Sequence, residues 1–140
     1  MRARLHSAAN RYYLKVKDDR KAWRSEQPQC CMWCGSGDGP LDVHEVCRKS
    51  QAQGRWGHRC NYLLVGSGLS PCNCHERVFA TMPFALQLFV KMRRDFKSFS
   101  LEEWIRIRNR GPEEITMKDI LEAGRNISLP ALRPKNSLKF

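Results

Sequence analysis

The chain lacks any long hydrophobic run. A membrane-spanning helix needs about 20 apolar residues, and the most apolar segment, residues 79–90, is broken by Thr81, Pro83 and Gln87. The first residues form no apolar signal segment either. These absences argue against a membrane protein, and we expect a soluble one.

The chain lacks the cysteine content of a disulfide-rich scaffold. The 140 residues include seven cysteines, which are too few and too unevenly spaced for a secreted disulfide scaffold of this length. No internal repeat or low-complexity block is evident. We therefore expect a reducing, intracellular compartment, where cysteines serve as metal ligands more often than as disulfide partners.

Acidic residues are also scarce. Asp and Glu number 14 against 25 Lys and Arg, so the formal net charge is +11. A surplus of this size favours polyanions over neutral small molecules, and nucleic acid is the leading partner. Basic residues are concentrated in two segments, 2–24 and 91–110. A solvated helix face and a phosphate-binding arm both account for the N-terminal segment.

Local patterns predict an α+β fold with a short β centre between helices. Leu41, Val43 and Val46 suit one strand, and residues 62–65 suit a second. A helix is expected from about residue 75 towards residue 95, kinked or restarted at Pro83.

Further helices are expected on either side of this centre. A helix in the basic N-terminal segment should end at Gln27 and Pro28, a capping box begins a helix at Ser100, and another helix begins at Thr116. The length predicts one domain. Its parts would be a basic arm at 1–27, a core at about 28–95 and a helical extension at 96–128, followed by a tail at 129–140.

Two cysteine pairs have the spacing of a zinc site. Cys31 and Cys34 form a two-residue knuckle followed by glycine, which can aim both thiolates at one tetrahedral ion. Cys72 and Cys74 are the nearest candidates for the other half, although a one-residue gap makes their thiolates diverge more. Cys60 or Cys47 could therefore replace one of them.

The order of four motifs justifies comparison with a family. A Cys-x-x-Cys-Gly knuckle begins at Cys31, a Leu-Asp-Val-His-Glu-Val strand at Leu41, an apolar run at Asn61 and a Cys-Asn-Cys-His sequence at Cys72. This order resembles the HNH endonucleases, in particular those with zinc-binding knuckles that occur in bacteriophages and bacteria. The resemblance covers roughly residues 31–78 and implies a ββα-metal core, two strands and a helix around one divalent ion.

The resemblance also implies roles for single residues. His44 would be a ligand of the catalytic ion and Glu45 the general base that activates water. Asn61 would hold the loop or orient the base, and His75 would be the second metal ligand. The catalytic ion would be Mg²⁺ or Mn²⁺, although nitrogen ligands also suit Ni²⁺ or Zn²⁺. A structural Zn²⁺ would occupy the four-cysteine site.

The chain departs from the family at the base position, which is usually histidine. Glu45 is a weaker base unless burial raises its pKa. Either Glu45 is the base, or His58 in the loop over the site supplies the imidazole, or catalysis has been lost. The first alternative is favoured because one acid–base group replaces another. A Gly-rich insertion between Asn61 and Cys72 is a second departure.

These features together predict a small HNH-type endonuclease that nicks DNA or cuts both strands in the cytoplasm of a bacterial host cell. Basic residues in the loop after the first strand would contact phosphate: Arg48, Lys49, Arg55 and Arg59. The alternative is a zinc-stabilised nucleic-acid-binding module without catalysis. A homodimer, or a subunit of a larger DNA-processing assembly, is compatible with either function.

Overall fold

The computed structural model describes residues 8–48, 57–108 and 115–134, and they form a mixture of helix and strand that agrees with the predicted α+β class. The elements are α1 (Ala8–Glu26), β1 (Leu41–Glu45), β2 (Tyr62–Gly66), α2 (Cys74–Arg77), α3 (Phe84–Arg94), α4 (Leu101–Arg108) and α5 (Met117–Ala123). Short 3-10 turns span Arg59–Asn61, Phe79–Thr81 and Phe96–Ser98. Within the described ranges, no helix is long and apolar enough to cross a membrane.

The two predicted strands pair as an antiparallel sheet. Leu41 lies opposite Gly66, and Glu45 lies opposite Tyr62. Every residue of β2 is buried, whereas β1 after Leu41 is only partly covered. A continuous apolar run such as β2 fits a strand that is covered on both faces, so β2 lies at the centre of the core.

Proline and capping residues set the helix boundaries. The expected long helix from residue 75 is interrupted, because the chain passes through the turn Phe79–Thr81 and restarts as α3 directly after Pro83. The capping box at Thr116 is formed, since its hydroxyl accepts a hydrogen bond from the Asp119 N–H and the Asp119 carboxylate accepts one from the Thr116 N–H. α5 then ends at Gly124, as predicted.

Part of the expected C-terminal tail packs against the cysteine knuckle. The Arg133 N–H donates a 2.9 Å hydrogen bond to the Gly35 carbonyl, and the Arg94 guanidinium donates to the Pro130 carbonyl at 2.6 Å. Gly35 has a φ of +81°, and a Cβ at this position would lie 2.4 Å from the Ala131 carbonyl oxygen. Glycine is therefore required where the C-terminal segment crosses the knuckle.

A buried charge network connects α1, β2 and α3. Lys91 is fully buried, and its Nζ donates to the Asp95 carboxylate at 2.7 Å and to the Tyr62 carbonyl at 2.8 Å. The Trp23 indole N–H donates to the same Asp95 oxygen at 2.8 Å. The Lys91 ammonium also lies 4.7 Å from the centroid of the Trp23 ring. Every charge in the network thus has a partner, which is the condition for burying it.

Lys91→Met tests how much stability depends on this network. Removing one member of a buried pair leaves the other charge uncompensated, so we expect the free energy of unfolding to fall by about 3 kcal/mol. Urea denaturation would measure the loss, with exposed Lys97→Met as the control for removal of a positive charge. A loss no larger than that of the control would contradict the assignment. Lys91→Met combined with Asp95→Leu should recover part of the stability.

Candidate functional site

Four cysteines from two distant segments lie together. The Sγ atoms of Cys31, Cys34, Cys72 and Cys74 are all within 4.8 Å of one another. This is the set predicted from the spacing, and neither Cys60 nor Cys47 belongs to it. Cys31 and Cys74 are buried, whereas the other two are partly exposed. The cluster joins the turn before β1 to the first residue of α2.

Two tight turns produce this convergence. In the first, the Gly35 N–H donates to the Cys31 carbonyl at 2.8 Å, which folds the knuckle back on itself. In the second, Asn73 adopts a left-handed backbone conformation with a φ of +43°. The one-residue gap was expected to make Cys72 and Cys74 diverge, but this left-handed residue turns both thiols toward the knuckle. Asparagine is among the few non-glycine residues that tolerate the conformation.

The chemistry of the cluster fits a metal ion such as zinc. Four cysteine sulfurs are the donor set of closed structural zinc sites, in which Zn–S bonds are about 2.3 Å. Burial raises the pKa of the Cys34 thiol to about 11, and burial together with the nearby Cys31 raises the pKa of Cys74. A divalent cation would have to displace these protons, because the thiolate is the ligand form.

A cleft of about 690 Å³ opens beside the cluster, between β1, α2 and the start of α3. His44 and His75, the two predicted metal ligands, both line it, with ring centroids 5.1 Å apart and ring planes at 77°. His75 directly follows Cys74 in the chain. The position of the cysteine cluster therefore constrains the position of the His75 backbone and of the ring attached to it. Apart from the four cysteines, the described ranges contain no group of three or more potential metal-ligating side chains.

Each histidine has a polar partner. The Nε2 of His44 lies 2.6 Å from the Gln87 side-chain oxygen, and the Nδ1 of His75 lies 2.9 Å from an Asp42 carboxylate oxygen. Burial lowers the pKa of His44 to about 4. Its imidazole is therefore neutral near pH 7, which is the form that binds a metal ion.

The predicted base, Glu45, points away from the histidine pair. Successive side chains of a strand face opposite sides, and His44 contacts α3 whereas the Glu45 carboxylate forms an ion pair with Arg20 of α1. Glu45 is nevertheless among the residues that line the cleft. The alternative base, His58, lines a different cleft, with its Nε2 3.7 Å from the Glu103 carboxylate.

Asn61 holds the chain after β1 in place. Its side-chain oxygen accepts hydrogen bonds from the Cys47 N–H at 2.7 Å and the Trp104 indole at 3.0 Å. Its amide group donates to the Cys47 carbonyl at 2.9 Å. The residue is fully buried. This geometry suits the loop-holding role predicted for Asn61 rather than contact with a substrate.

The predicted phosphate contacts have different surroundings. Arg48 is exposed and lines the cleft beside His44. Arg59 forms a two-pronged ion pair with Glu26, at 2.6 and 2.9 Å, on the surface next to α1. Lys49 and Arg55 lie outside the described residues. Arg48 is thus the one member of the set that the described structure places at the cleft.

Three residues of the site were missed from the sequence. Asp42 could have been found, because it lies two positions before His44 and a strand places such residues on one face. Gln87 and Arg20 come from separate helices, and no spacing rule connects them with β1. Their partners are set by how α3 and α1 pack on the sheet.

Cys31→Ser should abolish binding of one zinc ion per chain and destabilise the domain, since a structural zinc site contributes directly to folding. Zinc content and thermal unfolding with and without chelator would measure both effects. Cys30→Ser is the matched control, because Cys30 is also buried but outside the cluster. A folded, zinc-loaded Cys31→Ser protein would disprove the assignment of Cys31 as a zinc ligand.

The raised pKa values of the Cys34 and Cys74 thiols also predict that zinc affinity falls as the pH falls.

Asn73→Val should weaken zinc binding, because a β-branched side chain in the left-handed region costs about 1–2 kcal/mol. Asn73→Gly should bind zinc at least as well as the wild type. The Asn73 side-chain oxygen accepts no hydrogen bond from the described residues, so its backbone conformation is the feature under test. Competition with a chromogenic chelator would rank the three proteins. Equal zinc affinities of Asn73→Val and Asn73→Gly would show that the left-handed turn does not contribute to zinc binding.

Comparison with known proteins adds no relative: no protein-family model, curated protein or solved structure matches the chain. The function is therefore inferred from the residues that meet at the cleft and at the cysteine cluster. The cysteine cluster, which could hold a metal ion, and the histidine pair adjoin in the chain, because Cys74 and His75 are consecutive residues.

Proposed function

We propose that this protein is an HNH-type endonuclease that hydrolyses DNA phosphodiester bonds with one divalent metal ion and carries a structural zinc ion. The observation that carries the proposal is the meeting of His44 and His75 in one cleft. They come from β1 and α2, and β2 lies between these elements in the chain. Two antiparallel strands followed by a helix are the order that the resemblance implies.

The cysteine cluster supports the proposal as the structural half of the site. It joins residues 31–34 to residues 72–74 and so fixes the beginning of α2 relative to β1. An isolated two-stranded sheet is at best marginally stable in water. Zinc at this position would stabilise the small sheet and hold His75 opposite His44.

The histidine pair fits a single cation. A coordinated imidazole has its centroid about 3 Å from the ion, since the metal–nitrogen bond is about 2.1 Å. Two rings on one ion then have centroids about 5 Å apart at a tetrahedral or slightly smaller angle, and the two rings here are 5.1 Å apart. Mg²⁺ or Mn²⁺ bound there would polarise the scissile phosphate and stabilise the leaving oxygen.

The surrounding side chains supply the remaining functions. Glu45 would accept the proton of the attacking water once its carboxylate turns from Arg20 toward the cleft. The water oxygen forms the new bond to phosphorus while the ester bond to the leaving oxygen breaks, and solvent protonates that oxygen. Arg48, at the rim of the cleft, would bind a phosphate oxygen of the substrate.

The alternative is a zinc-stabilised nucleic-acid-binding module that does not cut. The ion pair between Glu45 and Arg20 favours it, because the carboxylate is then engaged on the far side of β1. Both functions predict DNA binding that weakens with salt. Exposed Met117 and Leu121, one turn apart on α5, suit a contact with a second copy or with a larger DNA-processing assembly.

Metal-dependent cleavage of supercoiled plasmid tests the proposal. Wild type should nick or linearise the plasmid with Mg²⁺ or Mn²⁺ and not with chelator. Glu45→Gln should lower the rate at least about 100-fold, because a general base typically contributes 10²–10⁴-fold. His44→Ala should also abolish most of the activity, because it removes a ligand of the proposed catalytic ion. His58→Ala distinguishes the two candidate bases, and we expect it to cut normally. Zinc content and circular dichroism would confirm that each variant is folded.

An intact plasmid under every metal condition, with zinc-loaded wild type that binds DNA in a salt-dependent way, would support the non-cutting module. Cleavage that survives His44→Ala would place the catalytic centre elsewhere. Loss of cleavage in His58→Ala but not in Glu45→Gln would transfer the role of base to His58.

A further inference from the structure

Gln87 and Asp42 are the polar partners of the two cleft histidines, and the resemblance to a nuclease assigns a role to neither. Gln87 comes from α3, beyond the segment of resemblance, and is almost completely buried, with 3% of its surface exposed. Asp42 is half-exposed on β1. Each forms a short hydrogen bond to one ring nitrogen, which determines what the other nitrogen can do.

The orientation of the Gln87 amide follows from its two contacts. Its nitrogen donates to the Met82 carbonyl at 2.8 Å, and a carbonyl oxygen can only accept. The Gln87 oxygen therefore faces the Nε2 of His44 at 2.6 Å. An amide oxygen also can only accept, so His44 carries its proton on Nε2. Its Nδ1 is then the nitrogen with a lone pair.

Asp42 favours the other tautomer for His75, with the proton on Nδ1. Its carboxylate oxygen lies 2.9 Å from the His75 Nδ1, and an ionised carboxylate accepts from an N–H. The proton of a neutral His75 is therefore on Nδ1, and its lone pair is on Nε2. Histidine ligands of metal ions generally have their second nitrogen held in this way by a carboxylate or an amide oxygen.

We propose that Gln87 and Asp42 are positioning residues that fix complementary tautomers of the two histidines, so that Nδ1 of His44 and Nε2 of His75 are the ligand atoms for one divalent cation. The inference rests on the proposed function and adds two residues to it. Neither positioning residue touches the reacting phosphate. Both act by holding a ring in the orientation and protonation state that a cation requires.

Binding of Mn²⁺ to the zinc-loaded protein tests the inference without any substrate. Electron paramagnetic resonance of free Mn²⁺ gives the affinity of the cleft, since Mn²⁺ favours nitrogen and oxygen ligands over the four thiolates. Gln87→Met and Asp42→Ala should each weaken Mn²⁺ binding about 10–100-fold, the usual effect of losing such a partner. Asp42→Asn should lose less than Asp42→Ala, because its amide oxygen still accepts from Nδ1–H. Asp18→Ala, which removes an exposed carboxylate from α1, should bind within about twofold of wild type.

Imidazole nitrogen NMR of the zinc-loaded protein without Mn²⁺ provides a second readout that a merely structural role would not change. Wild type should show His44 protonated at Nε2 and His75 protonated at Nδ1. Gln87→Met should give a mixture of His44 tautomers while the His75 signals stay unchanged. The wild-type spectrum alone tests the inferred tautomers of His44 and His75 if the buried Gln87→Met variant fails to fold.

The outcomes separate the inference from the proposed function. Wild type that binds no Mn²⁺ beyond the zinc would overturn both. Wild type that binds Mn²⁺ and cuts DNA, together with Gln87→Met and Asp42→Ala variants of unchanged affinity, would overturn the inference alone. A His44 protonated at Nδ1 in wild type would do the same.

Discussion

The meeting of four cysteine sulfurs is the constraint on which the rest of the structure depends. Two strands of five residues cannot maintain a fold alone, and the elements around them are mostly short helices. The cluster connects the turn before β1 with the start of α2. It therefore holds together the two chain segments that flank the β-sheet. The buried Lys91–Asp95 pair likewise connects α3 with α1 through the Trp23 indole and with β2 through the Tyr62 carbonyl.

The position of the cleft follows from this constraint. Because His75 is the residue after Cys74, the placement of the sulfurs also determines where an imidazole can lie. Because side chains alternate between the two sides of β1, its neighbouring residues contact different elements. His44 faces α3 and joins the second histidine, whereas Glu45 faces α1 and pairs with Arg20. A strand directs consecutive side chains to opposite sides, so the two residues have different partners although both line the cleft.

Local spacing predicted the parts of the molecule that depend on neighbours in sequence. The cysteine set, both strands and the start of a helix at Thr116 were expected and are present. The left-handed turn at Asn73 was not anticipated, although asparagine between two cysteines was a usable signal. Gln87 and Arg20 could not be predicted, because their contacts depend on how whole helices pack. The proposed catalytic roles remain predictions, since no spacing rule reveals which proton a side chain accepts.

The crossing of the C-terminal segment over Gly35 has a consequence for how the protein is made. All four cysteines of the cluster have been synthesised once the ribosome has passed Cys74, but Arg133, whose N–H bonds to Gly35, is added 59 residues later. During the interval the knuckle turn lacks this backbone partner. The C-terminal segment can therefore pack on Gly35 only when all four thiols are already present in the nascent chain.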